Sequence, residues 1–131
     1  MNLKGVSGLI IDIDGVLFEG DQAIGDLDAI FEQIKAYNLR FVIATNNSSR
    51  SPECCVELFK HQGITISVDQ VVNSVSVTLN YLQTNFPKNV ALHVLGSEVL
   101  KKTLVKAGYR LVEDFNEAVK AVIVGIDKAF N

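Results

Sequence analysis

The 131-residue sequence predicts a mainly parallel α/β fold, and three observations predict it. Apolar runs suited to strands alternate with amphipathic helical stretches from end to end, the order that builds parallel sheets with crossover helices. The helical stretches carry their own punctuation, with starts at Asp26, Ser51-Pro52 and Ser97 and stops at Gly63 and Gly108. Two apolar runs end in residues able to do chemistry, Asp12 and Asp14 after the first and Thr45 after the second, which is where open α/β sheets bind ligands.

Leu9 to Ile13 reads as a short buried strand covered on both faces. A helix starts at Asp26 and carries Leu27, Ile30, Phe31, Ile34 and Tyr37 at three- and four-residue spacing. Phe41 to Ala44 is the second buried strand. The next helix has Ser51 as cap, Pro52 at its first position, Cys55, Leu58, Phe59 and Gln62 along one side, and Gly63 as its stop. A short third strand falls at Gln70 to Val72, and Val75, Leu79, Leu82 and Phe86 mark a helix ended near Pro87. Val90 to Leu95 is a strand, Ser97 caps a helix with Leu100, Leu104 and Ala107, and Tyr109 to Val112 and Ala121 to Ile126 are strands around a short helix near Asn116. The segment from Ile64 to Asn73, weakest in periodic signal, is the candidate domain boundary.

With 48% apolar and 21% charged residues the chain has a globular composition, and at this size it buries about two thirds of its unfolded surface. A net charge of −3 without any lysine or arginine run argues against a nucleic-acid surface. The two cysteines, Cys54 and Cys55, are adjacent, which disfavours a disulfide between them and favours a cytoplasmic chain. No targeting signal and no apolar stretch long enough for a membrane span are read.

Residues two apart on a strand share a face, so Asp12 and Asp14 both lean over the carboxyl end of the first strand, and Gly15 permits the sharp exit. The same pair also suits a turn in which each aspartate caps nearby amides. Thr45-Asn46-Asn47-Ser48-Ser49 sets a hydroxyl and a row of backbone amides at a second strand end, groups that suit a phosphate or, alternatively, an ordinary polar loop feeding the next helix. Taken together, the two strand ends form a carboxylate pair facing a phosphate cradle.

Asp12-Ile13-Asp14-Gly15-Val16-Leu17 with Thr45-Asn46-Asn47-Ser48-Ser49-Arg50 resembles the first two motifs of the haloacid dehalogenase superfamily, in its branch of p-nitrophenyl phosphatase-like and sugar or nucleotide phosphatase proteins. Gly63-Ile64, Asp69 to Ser74, Tyr81-Leu82, Val94-Leu95-Gly96 and Val122 to Phe130 fit the same branch. The resemblance implies a three-layer Rossmann-like architecture, with residues 1–73 as the first part of the hydrolase core and residues 74–131 as the first part of an α/β cap inserted after the third core strand. It implies a magnesium-dependent phosphomonoesterase for a small phosphorylated metabolite, working through an aspartyl-phosphate. Asp12 is then the nucleophile and Asp14 the acid and base, with the Asp12 carboxylate and the Asp14 carbonyl on the metal. The Thr45 hydroxyl holds the phosphoryl group with help from the Asn46 backbone, and Asn47 is a further candidate.

Two motifs of the family, a later lysine and a later acidic motif that completes the metal site, are not identifiable in these residues. Asp127, followed by Lys128-Ala129-Phe130, matches the cap segment better than a metal ligand. Lys101, Lys102, Lys106, Lys120 and Lys128 read as solvated positions, His61 and His93 lack ligand spacing, Glu113-Asp114 reads as a turn, and Cys54 and Cys55 pack or face solvent. Without further core strands the first strand presents an open apolar edge, which predicts a homodimer, a complementary fragment or a rearranged sheet. A non-catalytic remnant of such a hydrolase is the alternative reading. A receiver-type phosphoacceptor domain fits less well, because the second strand ends in Thr45-Asn46 where an acceptor aspartate is needed.

Overall fold

The computed structural model describes residues 5–114 and 118–127, which fall into two compact units. The first comprises the residues up to Thr45 together with Pro52–Val72, and the second comprises Asn46–Ser51 and the residues from Asn73 onward. No helix among the described residues is long and apolar enough to cross a membrane.

In the first unit, strand β1 (Gly8–Asp12) runs into a turn and a small hairpin of β2 (Phe18–Glu19) and β3 (Gln22–Ala23). Helix α1 (Leu27–Ala36) follows, begun by Asp26, whose carboxylate accepts from the Ala29 amide at 3.0 Å. Strand β4 (Arg40–Thr45) then lies parallel to β1, in register from Gly8 opposite Arg40 to Asp12 opposite Ala44. Helix α2 (Pro52–Lys60) begins on the proline, whose missing N–H would have had no partner at that position, and a single 3-10 turn at Val68–Gln70 leads into β5 (Val71–Asn73). The sheet order is β1-β4-β5.

Ile13, Leu17, Phe18, Leu27, Ile43 and Phe59 anchor the core of this unit. Phe59 receives Phe18 edge-on at 5.1 Å between ring centroids and Phe31 at 5.7 Å, so the hairpin, α1 and α2 meet on one aromatic cluster. Ile11, Phe41 and Ile43 join that cluster from the sheet.

Several sequence expectations need correction here. Strand β1 is not covered on both faces: Ile11 packs into the core, but Ile10, pointing the other way, is 83% exposed. The physical reason is its place at the sheet edge, with both helices of the unit packed on the Ile11 and Ile43 face. The strand also ends at Asp12, and Ile13 opens the turn instead. Ile30 and Tyr37 are exposed, leaving Leu27, Phe31 and Ile34 as the packed stripe of α1. The third strand starts one residue later than the run Gln70 to Val72, because Gln70 closes the 3-10 turn by accepting, through its side chain, from the Ser67 amide at 3.0 Å.

The second unit contains α3 (Ser74–Asn85), β6 (Ala91–Leu95), α4 (Glu98–Lys106), β7 (Arg110–Leu111) and β8 (Val119–Val124). Its three strands are parallel, in the order β7-β6-β8. Val75 and Leu82 of α3 and Leu100 and Leu104 of α4 pack with Leu92, Val94 and Tyr109. Asn73 caps α3 and Ser97 caps α4, and Gly108, at φ +94°, turns the chain out of α4 toward β7. The short helix expected near Asn116 lies outside the described residues, and the last strand occupies Val119–Val124, not Ala121 to Ile126.

Candidate active site

Asp12 is the last residue of β1 and Thr45 the last of β4, so parallel pairing brings both strand ends to one side of the sheet. Beyond Asp12 the chain makes a tight turn in which the Ile13 carbonyl accepts from the amides of Leu17 at 3.0 Å and Phe18 at 2.9 Å, while the Gly15 amide donates to Phe18 O at 2.8 Å. Gly15 has φ +79°, a conformation that costs glycine little and other residues more. Ile13, Leu17 and Phe18 are buried and pin the turn to the core, whereas Asp12 and Asp14 on either side of Ile13 stay exposed. Apolar anchors thus hold two carboxylates at the surface without desolvating them.

The carboxylates are held differently. Asp12 Oδ1 accepts from the Ile13 amide at 2.8 Å, and Asp14 Oδ2 accepts from Thr45 Oγ1 at 3.0 Å. Thr45 itself is 8% exposed, its side chain held between strand end and turn. Asn46, next in the chain, is exposed. The structure therefore brings Asp14 and Thr45 into direct contact and leaves Asp12 two residues from that contact.

The segment Asn46–Ser51 is tied within the second unit. Ser74 Oγ donates to the Asn46 carbonyl at 3.0 Å, Ser97 Oγ to the Ser48 carbonyl at 2.6 Å, and Asn73 Nδ2 to the Arg50 carbonyl at 2.8 Å. Ser48 is 4% exposed, and its Oγ accepts from the Ile126 amide at 2.9 Å. Asn47 Oδ1 accepts from the amide and the hydroxyl of Ser49, closing a local turn. These ties were not legible in the sequence, where Ser97 signalled only a helix start.

The remaining chemical residues stand apart. His93 Nδ1 lies 3.1 Å from the Val112 carbonyl, Lys101 pairs with Glu98 at 3.7 Å on α4, Cys54 is exposed and Cys55 buried, and Glu113 and Asp114 are exposed. Among the described residues no group of three His, Cys, Asp or Glu side chains could hold a metal ion. Asp12 and Asp14 offer hard oxygen donors of the kind magnesium takes, as a pair. A hollow of about 490 Å³ lined by Asp28, Phe31, Lys35, Phe41 and Ile64 includes none of Asp12, Asp14, Thr45 and Asn46. The hairpin that closes the turn after Asp14 has its own sequence signal, the two residues Gly20-Asp21 between Phe18-Glu19 and Gln22-Ala23.

Residues 9–110 match the family model of haloacid dehalogenase-like hydrolases. The chain belongs to the haloacid dehalogenase-like hydrolase family. It is 30% identical over 147 aligned residues to phosphoglycolate phosphatase 1A, chloroplastic, of Arabidopsis thaliana, covering 98% of this chain and 41% of that protein. The fold is similar to that of the p-nitrophenyl phosphatase from Archaeoglobus fulgidus, with a TM-score of 0.83 and 26% identity over 96% of this chain and 47% of the other. It is also similar to the glycerol phosphate phosphatase from Mycobacterium tuberculosis in complex with magnesium, with a TM-score of 0.79 and 26% identity over 96% of this chain and 37% of the other. The haloacid dehalogenase-like chain thus spans less than half the length of each of these three proteins.

Proposed function

We propose that this chain acts as a magnesium-dependent phosphatase on a small phosphorylated metabolite, through an aspartyl-phosphate on Asp12. The observation that supports this best is the 3.0 Å bond from Thr45 Oγ1 to Asp14 Oδ2, with the Asp12 carboxylate exposed two residues away. The names of similar proteins support the substrate class, since phosphoglycolate and glycerol phosphate are both small phosphate monoesters.

In this reading an Asp12 carboxylate oxygen attacks phosphorus while the ester P–O bond breaks, and Asp14 gives its proton to the departing oxygen. Water then attacks the phosphorus of the aspartyl-phosphate and passes a proton to Asp14, and the bond from Asp12 to phosphorus breaks to release inorganic phosphate. The Thr45 hydroxyl and the Asn46 amide hold the phosphoryl oxygens as charge shifts among them. The Asp12 carboxylate and the Asp14 carbonyl fit a magnesium ion by donor type, and that ion supplies the positive charge that lets an anionic nucleophile meet an anionic phosphate.

We assign residues 1–73 to the first part of the hydrolase core and residues 74–131 to the first part of its cap. The open edge of β1, with Ile10 83% exposed, supports a second polypeptide covering it, and relatives of more than twice this length favour a complementary segment over a second copy. The exposed Cys54 beside buried Cys55 supports a reducing, cytoplasmic setting.

A second reading, a remnant that keeps part of the site and turns nothing over, is favoured by one observation: no three-ligand metal group occurs among the described residues. Magnesium-dependent phosphate release from an aryl phosphate separates the two. The phosphatase reading expects release that Asp12→Asn abolishes, and absence of release from the wild-type chain supports the remnant.

A further inference from the structure

We infer that Ser48 is a positioning residue for phosphate binding, acting through the loop that begins at Asn46; this rests on the phosphate-holding role proposed for Thr45 and Asn46. Three carbonyls at alternate positions of that loop, those of Asn46, Ser48 and Arg50, each receive a side-chain donor, from Ser74, Ser97 and Asn73 respectively. Ser48 is held from both ends, its carbonyl by Ser97 Oγ at 2.6 Å and its own hydroxyl by the Ile126 amide at 2.9 Å. It is the buried residue of the loop, at 4% exposure, whereas Asn46 is exposed.

One bond fixes the peptide group that follows Ser48 and the other fixes its side chain, so this buried residue is anchored at two points. A loop of polar residues without such ties samples many backbone states, and each bound anion would have to order it again. Packing supports the same role. A β-carbon at Gly125 would stand 3.1 Å from Ser48 Oγ, so the absence of a side chain there lets the Gly125-Ile126 backbone reach the hydroxyl. The sequence thus contributes a glycine, a serine and a backbone amide from distant positions to hold one loop residue.

The test is the affinity of the full chain for inorganic phosphate in the presence of magnesium, measured by calorimetric titration beside thermal unfolding. Ser48→Ala loses the acceptor for the Ile126 amide and Ser97→Ala loses the donor to the Ser48 carbonyl. Each is expected to weaken phosphate binding about tenfold, the loss of one buried hydrogen bond. Ser97→Thr keeps hydroxyl and helix cap and is expected to restore affinity. Val94→Ala, a core change in the same unit, is expected to lower the unfolding temperature and leave phosphate affinity unchanged.

Phosphate affinity unchanged in Ser48→Ala and Ser97→Ala, or lowered equally by Val94→Ala, overturns the positioning role and leaves the phosphate-holding role of Thr45 and Asn46 standing. A wild-type chain that binds no phosphate overturns both.

Discussion

Thr45 Oγ1 donates to Asp14 Oδ2 at 3.0 Å and so joins the end of β4 to the turn that leaves β1. A threonine hydroxyl has a single proton to donate, so one O–H serves either the carboxylate or a phosphoryl oxygen at a given moment. Replacing Thr45 with valine keeps the shape and removes that donor. Phosphate release from an aryl phosphate is expected to fall about 10²–10³-fold in kcat, as for loss of one transition-state donor, and Thr45→Ser is expected to stay near wild type. Wild-type turnover in Thr45→Val would remove Thr45 from the site.

Asn73 is 1% exposed with both ends of its amide bonded: Oδ1 accepts from the Ser76 amide at 2.8 Å and Nδ2 donates to the Arg50 carbonyl. Asn73→Ala removes a helix cap and the side-chain donor to the Arg50 carbonyl. A loss of about 1–3 kcal/mol of stability is expected in urea unfolding, with Asn73→Asp recovering the cap but not the bond to Arg50.

Tyr109 presents the opposite case. Its ring is buried at 4% exposure and its hydroxyl is buried with no hydrogen-bond partner among the described residues. Tyr109→Phe discards an unsatisfied polar group without making a cavity, so thermal unfolding is expected at the same temperature or higher. A clear drop would show that the hydroxyl has a partner.

Ile10 tests the open edge. Because its side chain is 83% exposed, Ile10→Lys is expected to change the stability of the isolated chain by no more than about 0.5 kcal/mol. In sedimentation or native mass measurements the same change is expected to abolish association through β1, since a lysine there opposes edge pairing. A wild-type chain that stays alone at every concentration and binds no complementary segment would contradict the covered edge.

The sequence made the strand ends legible because apolar runs stop abruptly there: Leu9 to Ile11 leads to Asp12, and Phe41 to Ala44 leads to Thr45. Helix starts at Asp26 and Ser97 were equally plain, since each capping side chain acts on an amide three residues away, as the bonds to Ala29 and Leu100 show. What was hidden depended on distance or brevity. Strands of two residues, as in the Phe18–Ala23 hairpin, are too short for periodicity to register. The exposed face of Ile10 follows from where the helices pack, and local pattern carries no information about that. The fixing of Ser48 by Ser97 and Ile126 spans 49 and 78 residues of sequence, beyond any local rule.

The central claim, that Asp12 takes the phosphoryl group, is tested most directly by trapping it. The chain is mixed with magnesium and an aryl phosphate, quenched in acid within the first turnover, digested, and analysed by mass spectrometry for a phosphoryl group on the peptide containing Asp12. We expect the label on Asp12 in the wild-type chain and none in Asp12→Asn, whose phosphate release is also lost. A label on another residue, or magnesium-dependent release undiminished in Asp12→Asn, would contradict it.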